Sequence, residues 1–198
     1  YDVIATSDGG FLFVGYSWSF GNSQQIYVIK TDFHGNIRWE KNYGGSNWDV
    51  GNAVIEVNGG GYLIVGYSNS PGISSGNTDV FIMKIDPNGT LVWQKAYGRA
   101  DTYNHEWAYD VISNNSSGFI IVGARDYYDW GVNEKRNILV LGVDNYGELL
   151  WEKEINESGP VDEAAYSISY TNSGNFFICS IVNSLSNPNV YQPKITKI

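Results

Sequence analysis

Asp49, Glu106 and Glu163 stand at one position of an internal repeat, four residues ahead of Ala53, Asp110 and Ser167. Carboxylates that recur where the chain turns into the first strand of each copy are expected to ring one mouth of a central channel. Gathered there, they would bind a hard cation such as Ca2+, which takes about six to eight oxygen ligands and accepts flexible geometry. The alternative is that each acid caps backbone amides inside its own copy. A second set of chemistry-bearing residues lies in the longest variable segments: Trp18 and Phe20, then Tyr127, Tyr128 and Trp130 around Asp126 and Asp129, with Asn133 nearby. Flat rings beside carboxylates and amides suit a sugar, whose apolar faces stack on aromatics while polar groups take its hydroxyls. The same residues suit a protein partner, because Tyr and Trp dominate interface hot spots, and they also serve to pack long loops onto a rim.

Nucleophilic catalysis finds little support. His34 and His105 are the only histidines and fall at non-equivalent loop positions, so neither a His-based metal site nor a Ser-His-Asp triad is indicated. The single cysteine, Cys179, cannot form an internal disulfide; its repeat equivalents are Val14, Val65 and Val122, so it reads as a buried small hydrophobe. Sequons at Asn88, Asn114, Asn115 and Asn156 fall in expected turns but are about as frequent as chance allows.

The elements that must position these residues follow from composition and repeat. The 198 residues are 42% hydrophobic and 17% charged, enough for one domain with a real core. Aromatics make up 15% of the chain beside 23 Gly and 1 Met, which favours strands joined by tight turns. A net charge of −9 with no Lys/Arg run disfavours nucleic acid as a partner. No apolar run approaches the length of a membrane-crossing helix. Tyr1 opens directly in a strand pattern, which leaves a mature or partial chain, or one that is not exported.

Alignment on Phe11, Tyr62, Phe119 and Phe176 gives a repeat of roughly 50 residues, each copy holding four strand-like runs. In the second copy these are residues 53–57, 62–68, 79–86 and 91–97. Gly-rich and Ser-rich segments join the first two runs. The third and fourth are joined by Asp32 to Gly35, Asp86 to Gly89 and Asp144 to Gly147, where an Asp side chain caps turn amides and Gly takes the left-handed position. The expectation is an all-β chain, a β-propeller of four-stranded antiparallel blades with boundaries at 1–45, 46–99, 100–157 and 158–198. The last blade lacks its outer strand. Either the native protein continues to more blades or four close with an open edge, and residues 193–198 at that edge would offer a template for strand addition. Small residues Gly51, Ala108 and Ala165 suit a crowded centre.

The Asp, Gly, Trp spacing of Asp32, Gly35 and Trp39, repeated as Asp86, Gly89, Trp93 and as Asp144, Gly147, Trp151, resembles the tryptophan-docking repeat of the PQQ-like propellers. The run from Gly59 to Tyr62, through Gly66-Tyr67-Ser68, to Asp86 is also similar to propeller repeats of secreted and surface-anchored prokaryotic proteins. The resemblance implies that Trp39, Trp93 and Trp151 pack between adjacent blades, each burying about 200 Å² and stabilising by up to about 5 kcal/mol. Gly142 replaces Lys30 and Lys84 in the third motif, so those lysines read as solvated. No cofactor-clamping pattern transfers, and the Asp-to-Trp separation is longer than in a sialidase Asp-box. The expected function is therefore a noncatalytic extracellular or cell-surface interaction and structural module, without a cofactor apart from the channel Ca2+. Its partner would be a protein or a second copy. The alternatives are a carbohydrate-binding propeller, or a fragment of a propeller hydrolase or quinoprotein.

Overall fold

The computed structural model describes residues 1–19, 21, 23–70, 77–99, 104–114, 118–127, 135–156, 161–171, 175–184 and 191–197, the side chains of Val161 and Ser184 apart. Among these residues every regular element is a strand, and no helix is long and apolar enough to cross a membrane. Fifteen strands form four antiparallel meanders. Sheet 1 holds β1 (Asp2–Ala5), β2 (Phe11–Ser17), β3 (Gln25–Thr31) and β4 (Ile37–Tyr43) in that order. Sheet 2 holds β5 (Asp49–Glu56), β6 (Tyr62–Ser68), β7 (Asp79–Ile85) and β8 (Leu91–Tyr97). Sheet 3 holds β9 (Glu106–Asn114), β10 (Gly118–Tyr127), β11 (Lys135–Val143) and β12 (Leu149–Ile155). Sheet 4 has three strands, β13 (Val161–Tyr170), β14 (Phe176–Ser184) and β15 (Tyr191–Lys197), the last an open edge.

The hairpins follow from their turn chemistry. Asp86 Oδ1 accepts from the backbone N–H of Asn88 at 2.8 Å and of Thr90 at 2.7 Å, and Gly89 sits at φ 74°. Asp32 and Asp144 build the same turn, with Gly35 and Gly147 at φ 84° and 80°. A side-chain acceptor replaces the solvent that these turn amides would otherwise need, and only glycine takes the left-handed backbone without a Cβ penalty.

Three apolar cores lie between successive sheets rather than within any one of them. Leu12, Val14 and Ile26 of sheet 1 meet Val54, Ile64 and Phe81 of sheet 2. Leu63, Val65 and Ile82 of sheet 2 meet Ala108, Ile121 and Leu141 of sheet 3. Ile120, Val122 and Val140 of sheet 3 meet Ala165, Ile168 and Ile178 of sheet 4. The inner sheets are thus covered on both faces, which is why β6 and β10 are nearly unbroken apolar runs. This stack of equivalent meanders is compatible with a propeller-like repeat. None of the four sheets closes on itself.

Pairing slips by one residue in each of three first strands: between Gly51 and Ala53, between Ala108 and Asp110, and between Ala165 and Ser167. Asn52, Tyr109 and Tyr166 therefore drop out of the ladder at one repeat position, an extra residue of the kind that re-aims a side chain. The ladder continues on both sides of this bulge, so that β5 begins at Asp49, ahead of the run expected from residue 53. Gly51, Ala108 and Ala165 are in consequence strand residues at the junctions, where a Cβ on Gly51 would stand 2.6 Å from Val14 Cγ2.

Candidate functional site

The three repeated acids are buried, and two of them, Asp49 and Glu106, accept hydrogen bonds from nearby groups. Asp49 takes the hydroxyls of Ser68 and Ser70 and the backbone N–H of Gly45 at 2.8 Å. Glu106 accepts from Arg125 Nε at 2.8 Å. Their backbone N–H groups reach back to the preceding sheet, Asp49 to Gln24 O and Glu106 to Thr78 O. Glu163 has no hydrogen-bond partner for either oxygen among the described residues; its cross-strand neighbour is Val182 where the earlier copies place Ser68 and Arg125. Among the described residues no group of three or more His, Cys, Asp or Glu side chains is placed to hold a metal ion. The shared repeat position puts each acid at the start of a first strand or close to it.

Burial pushes the Glu106 carboxyl above the ordinary carboxylate range despite the Arg125 charge beside it, and Asp79 adds to the shift. Burial likewise raises Glu163; Lys135 opposes this and Asp162 reinforces it. Arg125, 2% exposed, is the hub of a polar network. Besides Glu106 it donates to Glu152 and, at 3.5 Å, to Glu154, while Glu154 also accepts from Tyr127 OH and Asn137 Nδ2. Burial opposes the Arg125 cation, but Glu152 and Glu106 outweigh it and hold its proton more tightly than usual.

Tyr127 is therefore tied into this network, with the Arg99 guanidinium over its ring at 5.5 Å. Trp18 is exposed. Phe20, Tyr128, Trp130 and Asn133 lie outside the described residues. The histidines stay apart: the His34 ring packs on Phe33 at 3.7 Å, while His105 Nδ1 accepts from Thr78 N at 3.3 Å.

The motif tryptophans divide. Trp39 Nε1 donates to Pro87 O of the next sheet at 3.1 Å, and its ring lies against Gly89. Trp93 lies against Gly147 in the same way, where a Cβ would come within 2.7 Å of the indole. Both rings are half-buried, so each contributes less than full burial of an indole would. Trp151 differs: it is 38% exposed and folds over Gly142 of its own sheet. Gly142 stands where the other copies carry Lys30 and Lys84, which leaves room for the ring. Lys30, expected in solvent, is 2% exposed; its Nζ bonds Asp8 Oδ1 and Thr31 O, both at 2.9 Å. Lys84 is half-buried beside Trp93 in a hollow of about 470 Å³. Cys179, expected to be buried, is exposed: among the described residues no sheet covers its face of β14.

Two features escaped the sequence reading. Asp2 Oδ2 accepts from Val54 N at 2.9 Å, and Asp110 Oδ2 accepts from Ile168 N at 2.9 Å, so the same repeat position latches first strand to first strand. The second sheet has Ala53 there, and the neighbouring Asn52 bridges instead, donating to Ala108 O at 2.7 Å. The recurrence of Asp2 and Asp110 was the available signal. The second feature is a hollow of about 380 Å³ lined by Tyr1, Asn52, Tyr67, Trp107, Tyr109 and Tyr166. Four of these are bulge-position residues or their equivalent, Asn52, Tyr109, Tyr166 and Tyr1, and the rings of Tyr109 and Tyr166 stack at 4.9 Å. Burial raises the phenol of Tyr109, with Tyr166 adding to the shift, so its hydroxyl stays neutral at physiological pH.

No protein-family model matches the chain, and no curated protein matches it.

Proposed function

We propose that the chain is a β-propeller module, akin to the PQQ-like and secreted prokaryotic repeats, that works without catalysis as an interaction and structural unit at an extracellular or cell-surface location. The observation that carries this reading is the latch between successive first strands: Asp2 to Val54, Asn52 to Ala108, and Asp110 to Ile168. Equivalent strands joined in sequence are what sheets arranged around one axis require. The docking of Trp39 and Trp93 on the following Gly89 and Gly147 supports the kinship. Buried Arg125 and the carboxylates it meets, Glu106, Glu152 and Glu154, are spent on holding sheet 3 together. An antibody against the chain is expected to label intact source cells. Labelling only after permeabilisation overturns the location, and turnover of chromogenic glycosides, esters or a dye-coupled quinoprotein substrate overturns the noncatalytic reading.

The tyrosine-lined hollow favours a second reading, carbohydrate binding. Its lining carries phenols, an indole and an amide but no formal charge, and its volume falls within the usual range for ligand pockets of about 300–1,000 Å³. Saturation-transfer NMR with glucose, galactose and N-acetylglucosamine is expected to show contacts that Trp107→Ala combined with Tyr166→Ala removes. Contacts that survive in the folded double variant would place any sugar elsewhere.

A further inference from the structure

The three internal junctions are one interface built three times, and the repeat register carries its positions to both ends of the array. On sheet 4, Phe177, Cys179 and Ile195 take the places that Leu12, Val14 and Val28 take on sheet 1. Leu12 and Val28 are fully covered, yet Phe177 is 39% and Ile195 is 72% exposed. On sheet 1, Val3, Phe11 and Phe13 take the places of Val54, Tyr62 and Ile64. Those three are buried, yet Val3 is 52% and Phe13 41% exposed. The turn at Gly35 has nothing within 4 Å of a notional Cβ, whereas Gly89 and Gly147 each receive an indole from the sheet before. Among the described residues, sheets 1 and 4 therefore present the two uncovered halves of a single interface.

We propose that a second copy of this chain covers them, head to tail: Phe11 and Phe13 of one copy seat against Phe177, Cys179 and Ile195 of the other. The inference rests on the stacked-sheet reading above and names its partner. What selects a copy is continuity with the internal junctions. A face of the Leu12 and Val14 kind is covered there by a face of the Tyr62 and Ile64 kind, and Phe11 with Phe13 is such a face. Contacts between unlike faces either close into a ring or propagate. Two copies would supply about eight sheets, within the range of about 4–8 at which propellers close. The net charge of −9 on each copy opposes the contact, so salt strengthens it by screening.

Light scattering over a concentration series tests this on the 198-residue chain. The expected result is a dimer, favoured by salt, in which Cys179 reacts with a maleimide more slowly than in dilute monomer. Phe13→Asp and Ile195→Asp change exposed residues, so each variant keeps its circular dichroism and melting behaviour. Each alone loses association by more than about tenfold, since an unpaired charge would be buried at both junctions. Mixed one to one, the two variants pair through the one junction that joins two unaltered faces, a result that contacts between like faces cannot give. A wild type that stays monomeric overturns the proposal and makes a further sheet of other origin the occupant, while leaving the stacking of sheets 1 to 4 intact. Association that both variants retain, or a mixture that fails to pair, also overturns it.

Discussion

Asp110 reaches across 58 residues of chain to accept the backbone N–H of Ile168 at 2.9 Å, and the same oxygen takes the Ser167 hydroxyl at 2.9 Å. One side chain thus satisfies a backbone donor and a hydroxyl on β13, an edge strand of the next sheet that pairs only with β14. Asp110→Ala is expected to destabilise by about 1–3 kcal/mol, because an orphaned donor costs its desolvation. Asp110→Asn keeps an acceptor and should cost less. Urea unfolding of the two variants measures the difference, and equal losses would remove the latch as a contributor.

Gly147 and Gly35 separate backbone conformation from docking. Both have φ above 80° or at it, but only Gly147 supports a neighbouring indole. Gly35→Ala is expected to cost about 1 kcal/mol, the left-handed penalty alone. Gly147→Ala should cost about 1–3 kcal/mol more, since its Cβ must displace Trp93. Denaturant midpoints for the pair decide it; similar losses would mean that Trp93 does not dock.

Glu163 predicts a pH dependence. Its folded-state pKa is raised, by burial first, so the folded state holds a proton that the unfolded state releases above about pH 4.3. Stability therefore falls as pH rises through the window between the ordinary value and the raised one. Glu163→Gln is expected to be more stable than the parent above that window and to lose this slope. Unfolding curves from pH 4 to 8, at about unit steps, check it; parallel curves would contradict the assignment.

Asp8 has the opposite sign. Hydrogen bonds from Thr6 first, then Lys30, hold its carboxyl well below the usual range. Its contribution is present above the unfolded value of about 3.9 and is lost as pH falls through the folded one. Asp8→Asn should weaken the fold at neutral pH and flatten its acid limb. Lys30→Met, which removes the buried Nζ and its two partners, should unfold more easily than Lys84→Met, whose parent side chain is half-buried. Acid and urea titrations of the three variants report both effects.

Much of the architecture was legible before any coordinates. Runs expected at 62–68 and 91–97 match β6 and β8, and the Asp caps and left-handed glycines of the third hairpins stand where their spacing put them. These are local matters: a turn is decided by a few adjacent residues and their own side chains. The acids at 49, 106 and 163 were legible as equivalents, but the partners that each meets were not. Equivalence in a repeat fixes the height of a residue on its sheet, whereas a shared metal would need the distance between sheets.

Strands β2 and β6 show where sequence stops. Phe11–Ser17 and Tyr62–Ser68 read FLFVGYS and YLIVGYS, nearly the same string, and both form strands paired on both edges. Yet β2 alternates between exposed and covered residues while β6 is covered almost throughout. The string alone determined a β-strand with two apolar faces. Only the tertiary structure decided that one strand has a sheet on each side and the other on one, because the burial of a face depends on a neighbour that is distant in the chain or supplied from outside it.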